Sequence, residues 1–115
     1  MATYHYRLAV QYLYLEKSMA VKILIKRTIG HEVAPAVRPL IVELRAHAMK
    51  QAGYISGETL KCIDRPEEYV VISVWQSLDE WNKWLNSPDR KVLEDKIESI
   101  TGKSTEYATC VQLGN

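Results

Sequence analysis

Phenylalanine is absent from this chain of 115 residues, and glycine (five), proline (four) and cysteine (two) are all scarce. Cys62 and Cys110 fall in no CxxC or Cys/His spacing, which leaves no zinc motif and no disulfide framework. They read as two reduced, half-buried thiols of a cytoplasmic protein. Neither sign of charge dominates: 15 Lys and Arg stand against 14 Asp and Glu, intermixed, so there is no basic footprint for nucleic acid. Long apolar runs are missing too. The N-terminal "LAVQYLYL" is short, is broken by Gln11, and is followed by Glu16 and Lys17 rather than a cleavage site, so neither a signal peptide nor a membrane span fits. With no nucleophile constellation, phosphate-cradling glycine loop or paired-acid motif, hydrolase and kinase chemistry fall away as well.

What is present is one domain's worth of patterned sequence, residues 19–115, preceded by a tyrosine-rich N-terminal extension, residues 1–18. In the extension, Leu8, Tyr12 and Leu15 suit a helix face while Leu8, Val10, Tyr12 and Tyr14 alternate as in a strand, so its structure stays open. "AVKILIKRTI" then sets Val21, Ile23 and Ile25 against Lys22, Leu24 and Lys26, the period of a strand with one apolar face. Val37, Leu40, Ile41, Leu44 and Ala48 recur at helical spacing, with Pro35 or Pro39 marking the helix start and Gly53 a left-handed cap. "YISGETLKCI" and "YVVISVWQ" read as two further strands around a turn at "DRPEE".

Two serines announce two helices. Ser77-Leu78-Asp79-Glu80 is a capping box, and Ser87-Pro88 pairs a cap with a proline in the first turn; Gly102 ends the second helix, and "STEYATCVQL" supplies a last strand. The resulting order predicts an α+β, ferredoxin-like βαββαβ domain, a four-stranded antiparallel sheet with helices on one face. Alternation in the third strand places Val70, Ile72 and Val74 on one face and Tyr69, Val71 and Trp75 on the other. The second set is expected on the face without helices, where a twofold homodimer would cover it with a second sheet. An RNA-recognition domain shares the order, but "YVVISVWQ" lacks that domain's glycine and basic residues.

All three tryptophans crowd into "SVWQSLDEWNKWLNSPDR". Leu78, Trp81 and Leu85 share a helical stripe, so Trp81 is expected in the core, whereas Trp84 and Asn82 flank the stripe where side chains reach a cavity.

"AGYISGETL", "EEYVVISVWQSLDEWNKWLNSPDR" and the order of elements resemble the antibiotic biosynthesis monooxygenase family of dimeric α+β barrels over residues 20 to 113. The resemblance implies a homodimer with a cavity between sheet and helices in each subunit. Some members there oxidise phenolic, quinol or polyketide-like aromatics with O2 and no cofactor or metal; others degrade heme. The heme branch carries a tryptophan in a context matching Trp84-Leu85-Asn86-Ser87, but its iron-ligating histidine falls here on Glu94, a poor axial ligand, and its asparagine falls at or beside Lys26.

Cofactor-free oxygenation requires an electron-rich substrate anion in a dry pocket, a group to take a phenolic proton and donors for the oxyanion. The candidates are His47, Asn82 and Tyr69 for catalysis, with Trp84, Trp75, Tyr54, Arg27 and Glu58 for substrate binding. The functional expectation is therefore a cofactor-independent monooxygenase for a small aromatic. The alternatives are a non-catalytic dimeric module that binds an apolar aromatic and, behind it, a heme-degrading enzyme.

Overall fold

In the computed structural model, which describes residues 19–113, the alternating apolar residues of the first strand settle beneath the helices. The 1–18 extension lies outside the described residues. Strand β1 (Val21–Thr28) buries Val21 and Ile23 completely and leaves Lys22 and Leu24 on the opposite face. It runs in the middle of the sheet, antiparallel to β3 (Glu68–Trp75) on one side and to β4 (Glu106–Val111) on the other; β2 (Tyr54–Lys61) completes the order β2-β3-β1-β4. The predicted α+β, ferredoxin-like arrangement is therefore observed, with three helices against one four-stranded antiparallel sheet.

Helix α1 (Ala34–Met49) starts with Pro35 in its first turn, where a missing N–H costs nothing. Pro39 lies inside the helix and deletes one backbone bond there, a loss outweighed by burial of the Val37, Leu40, Ile41 and Leu44 stripe against Ile29 and Ile97. The helix closes at Lys50 rather than at a left-handed glycine. Gly53 instead makes the turn into β2 at φ 86°, and a Cβ there would come within 2.5 Å of the Glu80 side chain, so glycine is what lets the next helix approach.

Helix α2 (Leu78–Leu85) has only eight residues, too few to be stable alone, and is held by its cap and by two indoles. The Ser77 hydroxyl accepts the Glu80 N–H at 3.2 Å; the Glu80 carboxylate turns to Lys83, 3.5 Å away. Helix α3 (Pro88–Thr101) begins on the matching Ser87 cap and ends at Gly102, φ 71°, as the sequence predicts. None of the described helices is long and apolar enough to cross a membrane.

One expectation about the sheet is reversed. Trp75 faces Val21 across the ladder, Val71 faces Ile25 and Tyr69 faces Arg27, and directly paired residues share a face. Tyr69, Val71 and Trp75 therefore point toward the helices, and Val70, Ile72 and Val74 occupy the uncovered face with Leu24 and Leu60. Both sets in β3 are apolar, so alternation defines two faces without saying which one the helices take.

Candidate functional site

The aromatic residues build one continuous wall. Trp75 is fully buried at the end of β3, with Trp84 stacked on it at 6.4 Å between ring centroids and 21° between planes. Trp81 and Tyr54 meet it edge-on at 5.7 and 5.4 Å. The indole N–H of Trp75 donates to the Ser73 hydroxyl two residues back on the same face, so the one polar atom of that ring is satisfied. Gly57 makes room for this wall: a Cβ at that position would come within 2.6 Å of the Tyr54 hydroxyl.

Between this wall, the sheet and α1 lies a cavity of about 60 Å³, open at its mouth. Its apolar lining comes from Ile25 and Val71 of the sheet, Ile41, Leu44 and Ala48 of α1, and Trp81 and Trp84 of α2. Arg27, Arg45 and Tyr54 are the charged and phenolic residues at its edge. A second cavity of about 230 Å³ opens beside it toward Ile29, Arg38 and Tyr69, with Ile41, Arg45 and Thr59 as shared walls. The Arg45 guanidinium, donating to the Gly57 carbonyl at 3.1 Å, lies between the two.

Of the residues expected at the site, Trp84, Tyr54 and Arg27 line the first cavity; Glu58 borders it along β2, but as the register partner of Ile72 it is exposed on the uncovered face, so the expected role in substrate binding is corrected. Trp75 supports the cavity from behind, on the helix face and not the uncovered one. Tyr69 lines the second cavity. His47 and Asn82 are in neither lining. The His47 ring turns along the helix surface toward Glu43, 4.0 Å away, because it lies on the solvent side of the Leu44–Ala48 stripe. Asn82 is exposed on the outer side of α2, and its carbonyl accepts both the Asn86 backbone N–H and side-chain amide. Trp81 and Trp84 do not divide into a core ring and a cavity ring; each is at least 96% buried, and each serves both purposes.

Arg27 is the largest surprise. It is only 5% exposed, and its Nη2 donates to Glu94 Oε2 at 2.7 Å, from β1 across to α3. Glu94, itself 4% exposed, also accepts from the Thr105 hydroxyl and has Arg90 Nη1 at 3.9 Å. Arg90 in turn donates to the Tyr107 hydroxyl at 2.9 Å. Burial, reinforced by the nearby Glu94 charge, pushes the Tyr107 phenol above its ordinary pKa, so it stays neutral. Sequence reasoning missed Glu94 as a structural partner. The legible signal was a carboxylate embedded in the Leu93–Ile97 apolar stripe of α3, one helical turn from Arg90.

The same network bears on the position that the resemblance assigns to the heme ligand. Glu94, at the position of the ligating histidine in the heme-degrading branch, is engaged by Arg27, Arg90 and Thr105, so it does not fit an axial role. Among the described residues no three His, Cys, Asp or Glu side chains converge as metal ligands.

The sequence pattern defining the antibiotic biosynthesis monooxygenases matches residues 20–96. No curated protein matches the chain. Among solved structures, the chain is similar to SnoaB, a cofactor-independent oxygenase from Streptomyces nogalater, at 19% identity and a TM-score of 0.73, covering 84% of this chain and 96% of that one. It is similar to a conserved protein from Methanosarcina mazei Go1 at 18% identity and a TM-score of 0.74, with coverage of 84% and 96%. A putative antibiotic biosynthesis monooxygenase from Nitrosomonas europaea has the same fold at 8% identity and a TM-score of 0.74, with coverage of 84% and 93%. The chain belongs to the antibiotic biosynthesis monooxygenase family.

Proposed function

We propose that this family member is a cofactor-independent monooxygenase that admits a small phenolic, quinol or polyketide-like aromatic to the Trp84 cavity, where O2 oxidises it. The observation that carries the reading is the cavity itself, an apolar chamber walled by Trp81, Trp84, Ile25, Leu44 and Val71 with a few polar groups at defined places. A flat ring seated there exchanges water for indole and aliphatic surface. The dry surroundings also strengthen any hydrogen bond from Tyr54 or Arg27 to a substrate oxygen. SnoaB, of the same fold, is a cofactor-independent oxygenase, which supports the reaction class without identifying this chain's substrate.

The protein works in this reading as a cytoplasmic homodimer, consistent with two unpaired cysteines among the described residues. Its uncovered sheet face presents Leu24, Leu60, Val70, Ile72 and Val74, with Leu24 37% and Leu60 45% exposed in the single chain. Two such faces packed together would bury an aliphatic surface on each copy.

Oxygen uptake with reduced naphthoquinones and anthrones tests the reaction. Uptake faster than the buffer blank, and lost under anaerobic conditions, is the expected result. Uptake equal to the blank across the panel, with binding retained, would instead support a non-catalytic module that holds an aromatic ligand. One observation favours that second reading: His47 and Asn82, two of the groups expected to carry catalysis, lie outside the cavity.

A further inference from the structure

We propose that the aromatic wall is also an electron relay, in which a one-electron oxidant formed beside the cavity is quenched through Trp84, Trp75 and Trp81 by the exposed phenol of Tyr107. The source of the oxidant rests on the O2 chemistry proposed above; the relay itself is a property of the rings.

The rings form an unbroken path. Trp81 and Trp84 line the cavity. Trp84 stacks on Trp75 at 6.4 Å between centroids, Trp75 meets Trp81 at 5.7 Å, and Trp81 meets Tyr107 at 6.1 Å. Such spacings are those of aromatic pairs in contact. Electron exchange weakens steeply as the gap between donor and acceptor widens, so a series of contacts carries charge faster than one long step. Exposure rises at the far end of the path: Trp75 is fully buried, Trp81 is 2% exposed and Tyr107 is 38% exposed.

Burial decides where the missing electron comes to rest. An indole or phenol that loses an electron becomes a strong acid, and the vacancy is fixed in place once the proton leaves. The Trp75 N–H is bonded to the Ser73 hydroxyl, which is too weak a base to keep that proton, so a vacancy on Trp75 moves on. Tyr107 differs. Its hydroxyl oxygen accepts from Arg90 Nη1 at 2.9 Å, which leaves its own O–H to water at the sheet edge formed by β4. The Arg90 N–H stays beside the oxygen after the proton has gone.

The exchange balances as a hydrogen-atom transfer split in two. An oxygen-centred radical in the cavity gains one electron from the rings and one proton from water. Tyr107 loses one electron to the rings and one proton to water, and ends as a neutral phenoxyl radical. A small thiol or ascorbate-type reductant in solution then returns one electron and one proton, and the cavity indoles are left intact. Tyr54, edge-on to Trp75 at 5.4 Å, is the competing donor, but it lines the cavity, so a radical left on it would stay in the chamber.

Laser photoionisation of the purified protein under argon tests the relay, since it removes an electron from indole and the chain's three tryptophans all belong to this cluster. The indole-radical absorbance should give way to that of a phenoxyl radical at a rate independent of protein concentration. Tyr107→Phe, which keeps the ring, should lose most of the phenoxyl signal and prolong the indole radical, whereas Tyr54→Phe should retain both behaviours of the parent. Under repeated flashes in air, Tyr107→Phe should also accumulate oxygen adducts on Trp81 and Trp84 faster than the parent, as read by peptide mass spectrometry. An indole radical that persists in the unaltered protein, a phenoxyl signal undiminished in Tyr107→Phe or lost in Tyr54→Phe, or adducts forming equally in parent and Tyr107→Phe would overturn the relay. The argon experiment uses neither substrate nor O2, so its failure would leave the oxygenase reading standing, and a failed O2-uptake assay would leave the relay standing.

Discussion

The two faces of this one sheet do different things with apolar residues. Beneath the helices, β1 and β3 contribute Ile25, Arg27, Val71, Ser73 and Trp75, a mixed set of aliphatic groups, one large ring, a hydroxyl and a buried charge around open space. On the other side the same strands offer Leu24, Val70, Ile72 and Val74, which are aliphatic and of similar size, with Lys22, Glu58 and the Lys26–Glu68 ion pair among and around them. Mixed shapes and held polar groups make a chamber; uniform aliphatic residues make a surface that another copy can cover. Where a protein places its irregular side chains is thus a better guide to its site than where it places its most hydrophobic ones.

The contrast predicts that substitutions on the chamber face cost the most stability. Glu94→Ala strands Arg27 in the interior and should destabilise by about 3 to 5 kcal/mol in denaturant melts, whereas Glu94→Gln with Arg27→Met should recover much of that. Trp81→Ala and Trp84→Ala should each cost about 3 to 5 kcal/mol, since both rings are buried in the same cluster. Loss of less than about 1 kcal/mol in either would mean that its ring serves only the cavity.

Substitutions on the opposite face should change association more than folding. Ile72→Lys places a charge in the middle of the aliphatic surface and should convert a dimer to a folded monomer in sedimentation, with ligand binding by the chamber retained. Unaltered sedimentation would remove the interface from this face. The smallest effect concerns pH. Glu68 is held below the usual carboxylate pKa chiefly by the hydrogen bond from Lys26, 2.7 Å away, so the pair contributes its stability above the ordinary carboxylate value of about 4.3 and loses it as pH falls through the lower native value. Glu68→Gln should therefore lower Tm slightly at neutral pH, with the difference from the parent closing toward pH 3; a difference that widens on acidification would contradict this.

Much of the frame was legible because it rests on local chemistry. Ser77, Ser87 and Gly102 mark helix ends through bonds made within a few residues, and the Leu78–Trp81–Leu85 stripe identifies the buried side of α2 from spacing alone. The face taken by β3 was not legible, because Tyr69, Val71 and Trp75 are nearly as apolar as Val70, Ile72 and Val74, and only pairing with Val21 decides between them. The ion pair of Arg27 with Glu94 was hidden for a related reason. A cation near a strand end reads as solvated, and the carboxylate that draws it inside is 67 residues away in the chain.

The most direct measurement is a crystal structure with 2-naphthol bound. The ring should lie against Trp84 and Leu44 inside the chamber. A naphthol found only on the outer surface, with side chains closed over the space beside Trp84, would contradict the assignment of this chamber as the binding site.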